Sequence, residues 1–140
     1  MTRVSRSIYK QSGMKFKDLF IQHANLQPNH KVLDIGCGTG RMAVPLTQYL
    51  AAPGEYWGLD VDEDVIQWCQ ERISSRYSQF HFVHSPLHNK KYSPEATVRA
   101  QDYRFPFDDT YFDLVYLVSV FSHMLPPDME HYLGEITRVL

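Results

Sequence analysis

At 140 residues, with 44% hydrophobic and 21% charged side chains, the chain has ordinary globular composition and enough length for one domain with a real core. A formal net charge of -2 supplies no general basic field for nucleic acid, and no run is long and apolar enough to span a bilayer. Residues 1–10 are too polar for a signal peptide, so a cytoplasmic location is expected. The two cysteines suit small buried thiols rather than a disulfide framework.

Residues 1–13 are polar and basic, with Arg3, Arg6 and Lys10 around Ile8 and Tyr9, and are expected to form an N-terminal arm ahead of a domain over residues 14–140. Phe16, Leu19, Phe20 and His23 then recur at helical spacing, and Pro28-Asn29 ends that covering helix. Residues 31–35 form an apolar run of the kind that makes a buried strand. They lead into Asp34-Ile35-Gly36-Cys37-Gly38-Thr39-Gly40, where glycine takes every second position. Three glycines before a helical pattern suit a ligand resting against a helix N-terminus, since glycine admits positive φ and close backbone approach. Asp34 refines that reading, because a carboxylate at a strand end repels a phosphate and attracts a cation such as an ammonium group.

A helix is expected over residues 41–51, with Pro45 early in it, and Pro53-Gly54 breaks it. Residues 55–60 read as the second strand, again ending in an acid, and Asp62-Glu63-Asp64 opens the next helix with negative charge where its dipole favours it. Asp60 lies about twenty residues past the glycine loop, where an acid accepts from both hydroxyls of a ribose. Residues 80–83 form the third strand. His81, His84 and His88 invite a metal site, but His81 and His84 would diverge, because strand residues an odd number apart face opposite ways, and no metal is expected. Residues 85–99 make a long loop. Residues 112–120 are almost continuously apolar, as a central parallel strand requires, and Met129, Leu133, Ile136 and Leu140 line one face of a final helix.

Asp34, Gly36, Gly38 and Gly40 together resemble the first motif of the class I S-adenosylmethionine-dependent methyltransferases of type 11/25-like pattern. The dinucleotide fingerprint spaces its glycines differently. The resemblance implies an α/β fold: a Rossmann-like three-layer sandwich on a parallel sheet. Strands in the order 3-2-1-4 of a seven-stranded family fold (3-2-1-4-5-7-6) are expected. The last three strands are expected to be missing and the chain to be truncated, leaving the fourth-strand edge for a homodimer or a partner to cover.

The same resemblance implies that Asp34, Gly36, Cys37 and Gly38 hold the methionine portion of S-adenosylmethionine, that Asp60 binds its ribose and that Val61 packs on its adenine. S-adenosylhomocysteine is then the product. The segment from Gln101 and Asp102 through Phe105-Pro106-Phe107 to Phe112-Asp113 is similar to the family's adenine-binding stretch. Counting back from Pro106, however, puts Gln101 where an aspartate is usual and Asp102 one place later, so either can serve the adenine amino group. Ser119 and His123 fall where relatives place the cofactor and substrate edge. His123 is a candidate general base, with a packing histidine as the plainer reading. Tyr9 is a candidate lid residue. No Asn-Pro-Pro-aromatic sequence follows the fourth strand, which favours a small-molecule methyl acceptor over nucleic acid. The alternative is a methyltransferase-like cofactor-binding module without turnover of its own.

Overall fold

A computed structural model describes residues 3–89 and 93–140, apart from the side chains of residues 3–8 and 123. Four parallel strands form one sheet in the order β3-β2-β1-β4: β1 (Lys31–Ile35), β2 (Glu55–Asp60), β3 (Phe80–His84) and β4 (Leu114–Leu117). This is the expected order. The chain leaves β1 towards β2 on one side and reaches β4 on the other, so a crevice opens at the carboxyl ends of β1 and β4 where the direction of winding reverses.

Alternation along the strands sorts the core into two layers. Val32, Tyr56, Phe80, Phe82 and Tyr116 face α1 (Arg3–His23), α2 (Ala43–Leu46) and α3 (Glu63–Cys69), where Phe16, Phe20, Leu46, Ile66 and Cys69 meet them. Leu33, Ile35, Trp57 and Leu59 face the opposite layer, built from Phe105, Phe112 and the α4 (Pro126–Val139) residues Tyr132 and Val139. The result is the three-layer sandwich expected of the sequence.

Three elements differ in extent from the sequence reading. α1 runs unbroken from residue 3 to residue 23, so the stretch expected as a separate arm is continuous with the covering helix. Gly13 lies inside that helix, buried against the loop that follows Gly40, and a Cβ there would collide with the Arg41 carbonyl oxygen. Its lack of a side chain is what lets α1 approach so closely. α2 is a single turn rather than a helix over 41–51, in keeping with Pro45, which lacks an amide proton to extend it. β4 covers only the middle of the apolar run from 112 to 120.

Past β3, the chain forms small bridges between Leu87 and Val98 and between Asn89 and Ser93, and residues 90–92 of the expected long loop lie outside the described residues. The segment after it is tied down by α4. Glu135 accepts from the Phe105 amide at 2.7 Å, and Arg138 donates to the Phe105 and Phe107 carbonyls and to Glu135 and Asp109. The amides of Thr110, Tyr111 and Phe112 satisfy the carbonyls of Arg138 and Val139 at the end of α4, a need common to all helix C-termini.

Candidate functional site

The glycine loop is fastened at both ends of its turn. The amides of Gly36 and Cys37 donate to the Leu59 carbonyl at 2.8 and 3.0 Å, and that of Gly40 to the Cys37 carbonyl at 3.1 Å. Gly38 sits at φ +52, left-handed backbone that glycine occupies without strain, and nothing lies within 4 Å of where its Cβ would be. The loop therefore offers bare backbone to open space at this point. Its amide points down and donates to Asp60 Oδ2 at 2.8 Å.

Asp60, half-buried at the end of β2, also accepts from the Asp62 amide through Oδ1 at 3.1 Å. Each carboxylate oxygen has two acceptor sites, so one remains on each for a diol. The Asp62 side chain in turn caps α3 by accepting from the Val65 amide at 3.3 Å. Val61 packs into the α4-side layer, and its carbonyl bonds to His84 Nε2 at 3.2 Å.

Asp34 is placed differently. It has no exposed surface, and Tyr56 Oη donates to its Oδ2 at 2.7 Å. Its Oδ1 has no hydrogen-bond partner among the described residues, nor has the buried hydroxyl of Tyr116, which stands opposite Asp34 in the β1–β4 register. Burial pushes the Asp34 carboxyl up to about 7, with the nearby hydroxyls of Tyr56 and Tyr116 pulling the other way. Cys37 also turns inward: its thiol packs against Gly58, and burial pushes it up. Only the backbone of Cys37 remains on the loop face.

β4 supplies the other wall of the crevice. Val120 packs so closely over Gly36 that a Cβ there would lie 2.5 Å from its Cγ2, and Ser119 beside it is exposed with φ +63. A non-glycine residue held left-handed at a strand end stores strain, a common feature of ligand sites. Tyr9 reaches over from α1, and its hydroxyl lies 2.6 Å from Thr39 Oγ1. Asp34, Gly36, Cys37, Gly38, Asp60, Val61 and Ser119 thus cluster at one end of the sheet, with Tyr9 above them.

Gln101 and Asp102 fall in a short 3-10 turn packed on α4, and both engage Arg99. Asp102 Oδ2 accepts from Arg99 Nε at 2.8 Å, and the Gln101 amide oxygen, turned towards the guanidinium, accepts at 3.0 and 3.2 Å. The expectation for His123 falls on a side chain outside the described residues. The three histidines of the β3 region have separate occupations. His81 stacks on Trp57 at 4.2 Å, His84 serves Val61, and His88 Nδ1 lies 3.1 Å from the Ala96 carbonyl. Among the described residues no three His, Cys, Asp or Glu side chains converge on a metal position, and no helix is long and apolar enough to cross a membrane.

Sequence reasoning did not single out Tyr56, Tyr116 or Arg99. The two tyrosines meet Asp34 only through the pairing register of three strands, which no local pattern encodes. Arg99 lies three residues before Asp102, a spacing that carries a helical ion pair and was legible in principle.

Comparison with known proteins agrees with this geometry. Residues 32–140 match the family model described as a methyltransferase domain. The chain is 31% identical over 125 residues to the ubiquinone/menaquinone biosynthesis C-methyltransferase UbiE of Cupriavidus metallidurans, covering 89% of this chain and 44% of that protein. It therefore spans less than half the length of the curated relatives it matches. Among solved structures, coclaurine N-methyltransferase bound to N-methylheliamine and SAH superposes with TM-score 0.68 at 17% identity, over 93% of this chain and 32% of that one. The [4+2]-cyclase SpnF superposes with TM-score 0.68 at 23% identity, over 93% and 42%. Such distant likenesses establish the fold, and the second shows that this fold is not tied to one reaction. By the match over residues 32–140, the chain belongs to the methyltransferase-domain family.

Proposed function

We propose that this chain binds S-adenosylmethionine at the carboxyl ends of β1, β2 and β4 and forms the cofactor half of a methyltransferase acting on a small molecule. The observation that carries the reading is the pairing of Gly38 with Asp60: open space over bare backbone, directly bonded to a carboxylate that keeps one free acceptor site on each oxygen. The residues present fit the cofactor. Asp60 is suited to the two ribose hydroxyls, and Val61 to one face of the adenine. The loop from Gly36 to Gly38 suits the methionine chain, and Asp34, with its unsatisfied Oδ1, is the carboxyl group suited to its ammonium. Gln101 and Asp102, both engaged by Arg99, are the candidates for the adenine amino group, and Ser119 for the edge between cofactor and acceptor.

When bound, the cofactor supplies a methyl group on a positively charged sulfur. The chain's part is then mainly to hold two reactants in line, which alone is worth several kcal/mol of barrier. Tyr9, whose hydroxyl meets Thr39 of the loop, is the candidate lid residue. A small acceptor agrees with the net charge of -2 and with Ser119-Val120-Phe121-Ser122 in place of an Asn-Pro-Pro-aromatic turn. The C-methyltransferase name of the curated relatives points the same way. Replacing Gly38 by valine tests the proposal, since a side chain would stand in the open space. S-adenosylhomocysteine should bind at least tenfold more weakly to that variant, in a protein that still folds despite about 1–3 kcal/mol of backbone strain. Equal affinity would remove the loop from the site.

A further inference from the structure

Asp34 is the one carboxyl group fully withdrawn from solvent among the described residues, and its surroundings do not neutralise an ionised form. Around it stand Tyr56 and the Asp60 carboxylate from β2, Tyr116 from β4, the Cys37 thiol from the loop and Cys69 from α3, with the Arg41 guanidinium beyond the loop acting the other way. One hydroxyl donor at 2.7 Å serves Oδ2, while Oδ1 has none. A buried carboxylate so poorly supplied costs several kcal/mol and is relieved by taking up a proton. A proton on Oδ1 would also give that oxygen a donor to turn towards the unpartnered Tyr116 hydroxyl.

Both tyrosines are themselves fixed. Tyr56 is fully buried and stacks on Phe80 with ring centroids 5.1 Å apart, and Tyr116 lies 4.4 Å from the Phe20 ring of α1. Burial is the leading cause that pushes both phenols well above their ordinary range, so neither exchanges a proton near neutrality. They act as fixed hydroxyls on either side of a group that can.

We propose that Asp34, fixed in place between Tyr56 and Tyr116, rests as a neutral carboxyl beneath the glycine loop because its burial outweighs the hydroxyls beside it, and that it releases its proton to solvent when a cationic ligand settles on the loop. Ligand binding is thereby linked to the loss of one proton. The identity of the cation, the ammonium of the cofactor, rests on the function proposed above; the buried proton does not. In the free protein the carboxyl is pushed up to about 7, chiefly by burial. Affinity then rises with pH, about tenfold per unit below that midpoint. From about pH 5.5 to about 6.5 an α-amino group stays protonated, so the ligand contributes nothing to the slope.

The test uses the whole chain labelled with carbon-13 at its aspartate carboxyls and titrated by NMR, with the Asp34 signal assigned by its loss in Asp34→Asn. The free protein should show Asp34 titrating near 7. Tyr56→Phe should raise that midpoint, which loss of packing alone would not do. Saturating S-adenosylhomocysteine should lower it, and calorimetry at about pH 6 in two buffers of different ionisation heat should count about one proton released per ligand. A free-protein midpoint near 4, the ordinary aspartate value, would overturn the buried proton whatever binds. Binding with no proton released would overturn the linkage and leave the cofactor reading intact. S-adenosylhomocysteine that does not bind, with Asp34 still titrating near 7, would overturn the linkage and the cofactor reading together.

Discussion

The first two strands each carry an aspartate at or next to their carboxyl end, and the two carboxyl groups are built as opposites. Asp60 is half-exposed, accepts one backbone amide on each oxygen and keeps acceptor capacity on both. Asp34, one strand away, is sealed under the loop with a single phenolic donor and an unpartnered oxygen. Hydrogen bonds from backbone amides favour an ionised carboxylate, whereas burial favours a neutral one. One end of the sheet thus carries a partly accessible carboxyl group, Asp60, and one withdrawn from solvent, Asp34.

The sharpest way to break this contrast is to remove the charge from the sealed group. The folded protein keeps the Asp34 proton up to about pH 7, while the unfolded chain loses it near 4, so wild-type stability falls as pH rises through that window and levels off above it. Asp34→Asn removes that loss and should be the more stable protein at pH 8 by up to about 4 kcal/mol, with a smaller difference at pH 5. Denaturant unfolding at the two pH values measures it; an Asn variant no more stable at pH 8 than at pH 5, relative to wild type, would contradict the assignment.

At the exposed partner the effect should appear in binding. Asp60→Ala should weaken S-adenosylhomocysteine binding by about 3 kcal/mol, roughly a hundredfold, since hydrogen bonds to a charged acceptor are worth about 1.5–3 kcal/mol each. Tyr56→Phe leaves the ionised Asp34 without its donor and should destabilise the protein by about 2 kcal/mol at pH 8, and less at pH 5 where the carboxyl is neutral. Tyr9→Phe should be the mildest change. It removes one exposed hydrogen bond to Thr39, and unfolding curves should move by less than about 1 kcal/mol.

Much of the architecture was legible because it depends on local periodicity and on turn chemistry. Alternate glycines after an apolar run placed the loop, the acid some twenty residues later placed the end of β2, and the strand order followed from the family resemblance. The extents of α1 and α2 were not legible in the same way. Gly13 reads as a break until the Arg41 backbone is seen pressed against it, and Pro45 shortens a helix whose apolar spacing suggested three turns. Asp34 was assigned the correct strand end but not its burial, because that depends on Tyr56 and Tyr116 arriving from neighbouring strands in one register. Counting back from Pro106 left Gln101 and Asp102 as open alternatives, and Arg99 binds both, a convergence that depends on the fold of the 3-10 turn.

The most direct measurement is calorimetric titration of the 140-residue chain and its Asp60→Ala variant with S-adenosylmethionine, S-adenosylhomocysteine and NAD. The account predicts that the first two bind the wild type, that NAD does not, and that the variant loses most of the affinity. A folded wild type that binds neither sulfur compound, or a variant that binds them equally well, would contradict it.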